Sequence, residues 1–164
     1  MADTRTAQSQ GRAAAIIARP IAVTGIDDLD FGMVASSGPG TVVIQAGAGA
    51  AVYGGSARQA CNGAGSCPQP HAARFEVSGE ALRNYRIALP ERLSIDGPVS
   101  TQPGSELLVE DFSVRTTSQP LAGPKGKLDT QGCDSFEVGA TLHISAALPP
   151  GRYRVSVPVI VTYD

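Results

Sequence analysis

Gly151-Arg152-Tyr153-Arg154-Val155-Ser156-Val157-Pro158-Val159-Ile160-Val161-Thr162-Tyr163-Asp164 closes the chain, and its spacing decides the fold class. From Tyr153 every second residue is apolar or aromatic: Tyr153, Val155, Val157, Val159, Val161 and Tyr163. Arg152, Arg154, Ser156, Pro158, Ile160 and Thr162 fall on the other face. Successive side chains of a strand point to opposite faces, so a period of two marks a half-buried strand, here of about eleven residues. Phe136, Val138, Ala140, Leu142 and Ile144 repeat the pattern, with Glu137, Thr141, His143 and Ser145 opposite. Leu148-Pro149-Pro150-Gly151 between them reads as a turn. The two segments are predicted to form a long antiparallel hairpin.

Working outward, shorter strands precede them. Thr41 to Ala46 is rich in β-formers, and residues 73–77 and 85–89 alternate. Ser94-Ile95 ends at Asp96-Gly97-Pro98. Residues 106–115 read as a strand in which Leu107, Leu108 and Val109 break the alternation, which predicts a bulge or burial on both faces. Residues 47–55, 56–70 and 117–126 read as loops, and one helical turn is expected around Glu80 to Leu82. The composition agrees: 19 glycines and 12 prolines in 164 residues suit many short strands rather than a helical bundle. The expectation is an all-β, immunoglobulin-like antiparallel β-sandwich over residues 20–164. Ahead of it stand a polar tail, 1–12, and a short apolar segment, 13–19.

Pro158 qualifies the last strand. It has no N–H to give a ladder, so the strand belongs at an edge or beside a bulge. An open edge beside a row of valines invites another strand to cover it.

Charge and composition exclude several function classes. The net charge is −2, without the basic excess of a nucleic-acid binder. No apolar run approaches the ~20 residues of a membrane helix. Met1 to Arg12 has no apolar core of a signal peptide, and the run Ala13 to Ala18 is short. The chain is therefore either cytosolic or exported with its signal already removed, and the fold favours export.

Catalytic patterns are thin. No Gly-x-Ser-x-Gly elbow, dinucleotide fingerprint or P-loop occurs. His143 falls on the outward face of its strand and His71 in a loop. The run Asp27, Asp28, Asp30 lacks the spacing of a calcium loop and reads as a solvated turn. No enzyme activity, cofactor or metal is expected. Cys61 and Cys67 bracket two glycines that let the chain turn back, so they are expected to form a disulfide. Free thiols are the alternative. Zinc is disfavoured by the five-residue gap and the lack of a second ligand pair. Cys133 is left free or paired with either of the others.

Several pieces resemble a secreted bacterial family catalogued only as a domain of unknown function, number forty-four-oh-two. They are Ile17-Ala18-Arg19-Pro20-Ile21-Ala22-Val23-Thr24 with Asp28-Leu29-Asp30-Phe31-Gly32, then Phe75-Glu76-Val77-Ser78-Gly79 and Tyr85-Arg86-Ile87. Val138-Gly139-Ala140-Thr141-Leu142 and Gly151-Arg152-Tyr153 with Val157 to Tyr163 follow in the same order. The likeness covers roughly residues 13–164. A second resemblance is to chaperone–usher pilins, which carry a penultimate aromatic and a glycine fourteen positions from the C-terminus. Tyr163 and Gly151 hold those positions. Class 5 fimbrial subunits run donor strand, proline, first strand, and Ala13 to Arg19, Pro20 and Ile21 to Ile26 read similarly.

These resemblances imply a pilin-like structural subunit at the cell surface or in the periplasm. Ala14, Ile16, Ile17 and Ala18 would form a donor strand. Gly151, Tyr153, Val155, Val157, Val159, Val161 and Tyr163 would flank the groove of a neighbour. The partners implied are like subunits and a periplasmic chaperone. The alternative is a self-contained secreted binding module with residues 13–19 paired in cis. An enzyme would need a pocket joining His71 to an acid and a nucleophile.

Overall fold

The computed structural model describes residues 5–61, 67–95, 107–148, 153 and 155–164. Ten strands follow in order: β1 (Ala22–Asp27), β2 (Val34–Ile44), β3 (Val52–Gln59), β4 (Ala73–Ser78), β5 (Asn84–Ala88), β6 (Arg92–Ile95), β7 (Leu107–Thr116), β8 (Lys125–Lys127), β9 (Cys133–Ile144) and β10 (Ile160–Tyr163). There are no helices among the described residues, and every pairing is antiparallel. The expected helical turn near Glu80 is instead a tight turn, with Leu82 at a φ of 63°.

β9 organises the larger sheet. One edge pairs with β7 over residues 136–144. The other pairs with β4 over 133–138 and with β2 over 140–144, so the sheet forks at Gly139. β1 lies beyond β4, β3 beyond β2, and β6 beyond β7. The fork works because Gly139 has no side chain. A Cβ there would lie 2.6 Å from the Ala46 nitrogen and 2.8 Å from the Gln45 carbonyl carbon, and closer still to the Ile44 oxygen. Residues 44–47 cross β9 at this point. The Ala46 N–H donates to Ser113 Oγ at 3.0 Å, and the Gly47 N–H to Glu137 Oε2 at 2.6 Å.

The second sheet is small: β10, β5 and β8. It packs on half of the large one to make a β-sandwich. Ala73, Val77, Phe136 and Val138 from the large sheet meet Tyr85 and Ile87 of β5, with Leu128 beside them. Phe75 and Phe136 stack at 5.1 Å. The other core cluster has a different cover. Val42, Ala57, Leu107, Val109, Ala140, Leu142 and Ile144 all come from the large sheet. No strand of the small sheet reaches it among the described residues; Leu148, Tyr153 and Val155 lie across it from outside any ladder.

Three sequence expectations need correction. The predicted hairpin of residues 136–145 with 153–163 does not form. β9 pairs with β2, β4 and β7, while β10 pairs with β5, Val161 opposite Ile87. Nor does the last segment hold an eleven-residue strand: its ladder begins at Ile160, two residues past Pro158, whose ring removes a donor. The expected loops 47–55 and 56–70 are interrupted by β3, where Gly40 faces Gly55 and Thr41 faces Gly54. Gly40 is required because a Cβ there would meet the Ala57 nitrogen at 2.6 Å. In β7, Leu108 is half-buried on the outer face, and the bulge comes later, between Glu110 and Ser113.

Candidate functional site

Tyr153 and residues 155–163 keep their period of two without a full ladder. Tyr153, Val155, Val157, Val159, Val161 and Tyr163 are half-buried, while Ser156, Pro158, Ile160 and Thr162 are exposed. Tyr153 and Val155 pack on the first cluster, and Val159, Val161 and Tyr163 on the second. Residues 155–159 have no ladder partner among the described residues. Among the described residues the outer edge of β10 has no partner strand either. Among the described residues, 155–159 therefore run extended and outside any ladder beside half-covered valines. Gly151, placed in this groove by sequence, lies outside the described residues.

The N-terminal arm stands apart from the domain. Residues 5–20 are exposed and belong to no strand. Ile16 and Ile17 are 97% and 95% exposed, and Ala14 and Ala18 are exposed too. The root of the arm is held. Tyr163 Oη donates to the Arg19 carbonyl at 2.8 Å and accepts from the Glu80 N–H at 2.7 Å. The Arg83 guanidinium lies 5.0 Å from the ring centroid, within cation–π range. Gly79 makes room for the ring, since a Cβ would collide with the hydroxyl. The sequence marks Tyr163 but not this contact, because Glu80 and Arg19 take part through backbone atoms. Tyr163→Phe removes both hydrogen bonds from a partly buried site. A loss of about 1 kcal/mol is expected. Thermal unfolding should then fall by roughly 2–4 °C in a domain of this size.

Other sequence candidates fall into plain roles. Cys61 and Cys67 form the expected disulfide, and Cys133 is an exposed free thiol. Asp27 pairs with Arg74 at 3.3 Å, and Asp30 Oδ1 accepts the Gly32 N–H at 2.7 Å, as fits a turn. His71 is exposed, with Nδ1 3.2 Å from the Ala72 carbonyl oxygen.

A polar cleft of about 600 Å³ lies beside Thr117, Ser118, Lys127 and Asp134. Asp134 is internally satisfied: its Oδ2 accepts from Tyr85 Oη at 2.7 Å and from Ser118 Oγ, and its Oδ1 from the Ser135 N–H. Burial, and then the Asp134 carboxylate, hold the Tyr85 phenol above its ordinary range, so it stays a donor to that carboxylate.

Residues 21–163 match a family described as a domain of unknown function, DUF4402. The chain belongs to that family. The match covers all ten strands and begins at Ile21, just after Pro20, so the arm precedes it. No curated protein and no solved structure matches. In this DUF4402 domain the motif residues Val138 to Leu142 form the fork of the large sheet, and Val157 to Tyr163 the bare segment and β10. No helix of the described residues is long and apolar enough to cross a membrane.

Proposed function

We propose that this DUF4402 domain is a pilin-like structural subunit, exported and polymerised non-covalently by strand donation. Residues 13–19 of one subunit fill the groove beside residues 153–163 of the next. The observation that supports this reading is a mismatch within one chain: an exposed arm with two bare isoleucines, and half-buried residues 155–159 that have no ladder partner among the described residues. Strand addition uses main-chain hydrogen bonds for affinity and alternate side chains for fit. Ile16 and Ile17 point to opposite faces of a regular strand, so one of them enters the groove. Its burial contributes about 1.5–3 kcal/mol. About six ladder bonds at ~1 kcal/mol each add to that, against the entropy of association.

The pilin-like, immunoglobulin-like topology, the surface or periplasmic location and a chaperone that holds the groove before assembly belong to the same proposal. The Cys61–Cys67 disulfide fits an oxidising compartment.

A second reading is a self-contained secreted binding module. It is favoured by the low exposure of the first cluster's seven buried residues, none above 7%.

The deciding experiment is an SDS gel of the protein from its native source, unboiled beside boiled. A ladder that collapses to one band on boiling is expected. A single monomer band in both lanes would overturn polymerisation and leave the binding module.

A further inference from the structure

The bulge of β7 does something regular strands do not. Glu110 and Asp111 are adjacent, and neighbours on a regular strand face opposite ways. Here the register shifts between Glu110 and Ser113, and Asp111 takes a φ of 51°. A bulge of this kind re-aims a side chain. Both carboxylates now lie on the outer face of the large sheet beside His143 of β9. His143 Nε2 is 3.2 Å from Glu110 Oε1 and 4.0 Å from Asp111 Oδ2, and the three ligand atoms lie within 4.8 Å of one another.

His143 Nε2 is buried and makes no hydrogen bond. Its contact with Glu110 is within ion-pair distance but is not a hydrogen bond. The other oxygen of Glu110 faces Arg92, whose Nε is 3.9 Å from Oε2, which leaves Oε1 for the space shared with His143 and Asp111. The ring as a whole is 38% exposed, so an ion has a path in.

We propose that Glu110, Asp111 and His143 bind a divalent transition-metal ion of the zinc class. A neutral imidazole and two carboxylates carry a charge of −2, which such an ion neutralises. Ligand bonds of about 2.0–2.2 Å place tetrahedral ligands roughly 3.3 Å apart, so side-chain shifts of about 1 Å suffice. Imidazole selects zinc, copper or nickel over calcium, which wants six to eight oxygens. Three protein ligands leave the fourth position to water or to a group from another molecule.

The test is calorimetric titration of zinc chloride into the full chain carrying Cys133→Ser, which removes the exposed thiol as a competing ligand. One saturable site is expected. His143→Ala and Asp111→Asn, each in that background, should weaken it at least tenfold, the lower end of what even outer-shell losses cost metal sites. Circular dichroism checks folding, and Asp111→Asn decides alone if His143→Ala misfolds. No saturable binding, unchanged affinity in the folded variants, or tighter binding of calcium than of zinc would each overturn the site.

Discussion

A chain lacking residues 1–19 is expected to fold as a monomer and to form no polymer. The folding half of this expectation rests on where the domain begins. β1 starts at Ala22, paired with Ser78 of β4, and none of the two core clusters draws on a residue before Ile21. The truncation costs the domain the hydrogen bond from Tyr163 to the Arg19 carbonyl, about 1 kcal/mol or less. Under the proposed strand donation the assembly half is all-or-none, because the truncation removes the proposed donor and leaves the proposed groove. A complementary variant separates the two roles. Val157→Arg puts a charge on the half-buried face of the bare segment, where it cannot be covered without a partner. That subunit can donate its arm but not accept one. Mixing it with the truncated chain should give a dimer and nothing longer, read by light scattering after size exclusion. Polymers from the truncated chain alone would defeat strand donation by residues 13–19.

The fold class was legible because burial writes a period of two into the sequence. Phe136, Val138, Ala140, Leu142 and Ile144 alternate, and all five are buried. Tyr153 to Tyr163 alternates, and its odd residues are half-buried even where the ladder is missing. Pairing was not legible in the same way. Two adjacent alternating segments with a proline turn between them suggest a hairpin, yet β9 is claimed on both edges by β7, β4 and β2. Which strands meet is decided by competition across the whole chain, and Pro158 removes one candidate ladder locally. β3 was hidden by its own composition, since Gly54 and Gly55 read as a turn until the close approach of β2 explains them. The arm was visible as a segment, but its exposure was not, because six small apolar residues suit a first strand equally well. The Glu110, Asp111 and His143 cluster left no trace in spacing, because an unbulged strand would send the two acids to opposite faces.

Gly139→Val should unfold the domain or come close to it. The three atoms nearest to an added Cβ are backbone atoms of Ile44, Gln45 and Ala46, so no rotamer change relieves the collision. Either the crossing of residues 44–47 lifts away, or β9 shifts out of register. Lifting breaks the bond from the Ala46 N–H to Ser113 and that from the Gly47 N–H to Glu137, and it strains the Ile44–Ala140 end of the β2 ladder. Shifting β9 by one residue would turn Val138, Ala140 and Leu142 out of the core. Overpacking costs typically 1–3 kcal/mol where side chains can yield, and this backbone site belongs at about 3 kcal/mol or above. Domains of this kind hold only about 5–15 kcal/mol in total. The check is a urea midpoint for Gly139→Ala and Gly139→Val beside Gly49→Ala, where an added Cβ meets nothing within 4 Å. The expected order is Gly49→Ala near wild type, Gly139→Ala clearly lower and Gly139→Val lowest. Equal midpoints for all three would show that the fork does not need a bare position at 139. The consequence reaches the groove, because β2 and β9 supply Val42, Ile44, Ala140, Leu142 and Ile144 to the cluster under Tyr153 and Val155. A fork that opens removes the floor on which the bare segment rests. Gly139→Ala should therefore lose strand acceptance as its midpoint falls, and the second cluster should yield with it, because Phe136 and Val138 of β9 belong to that cluster.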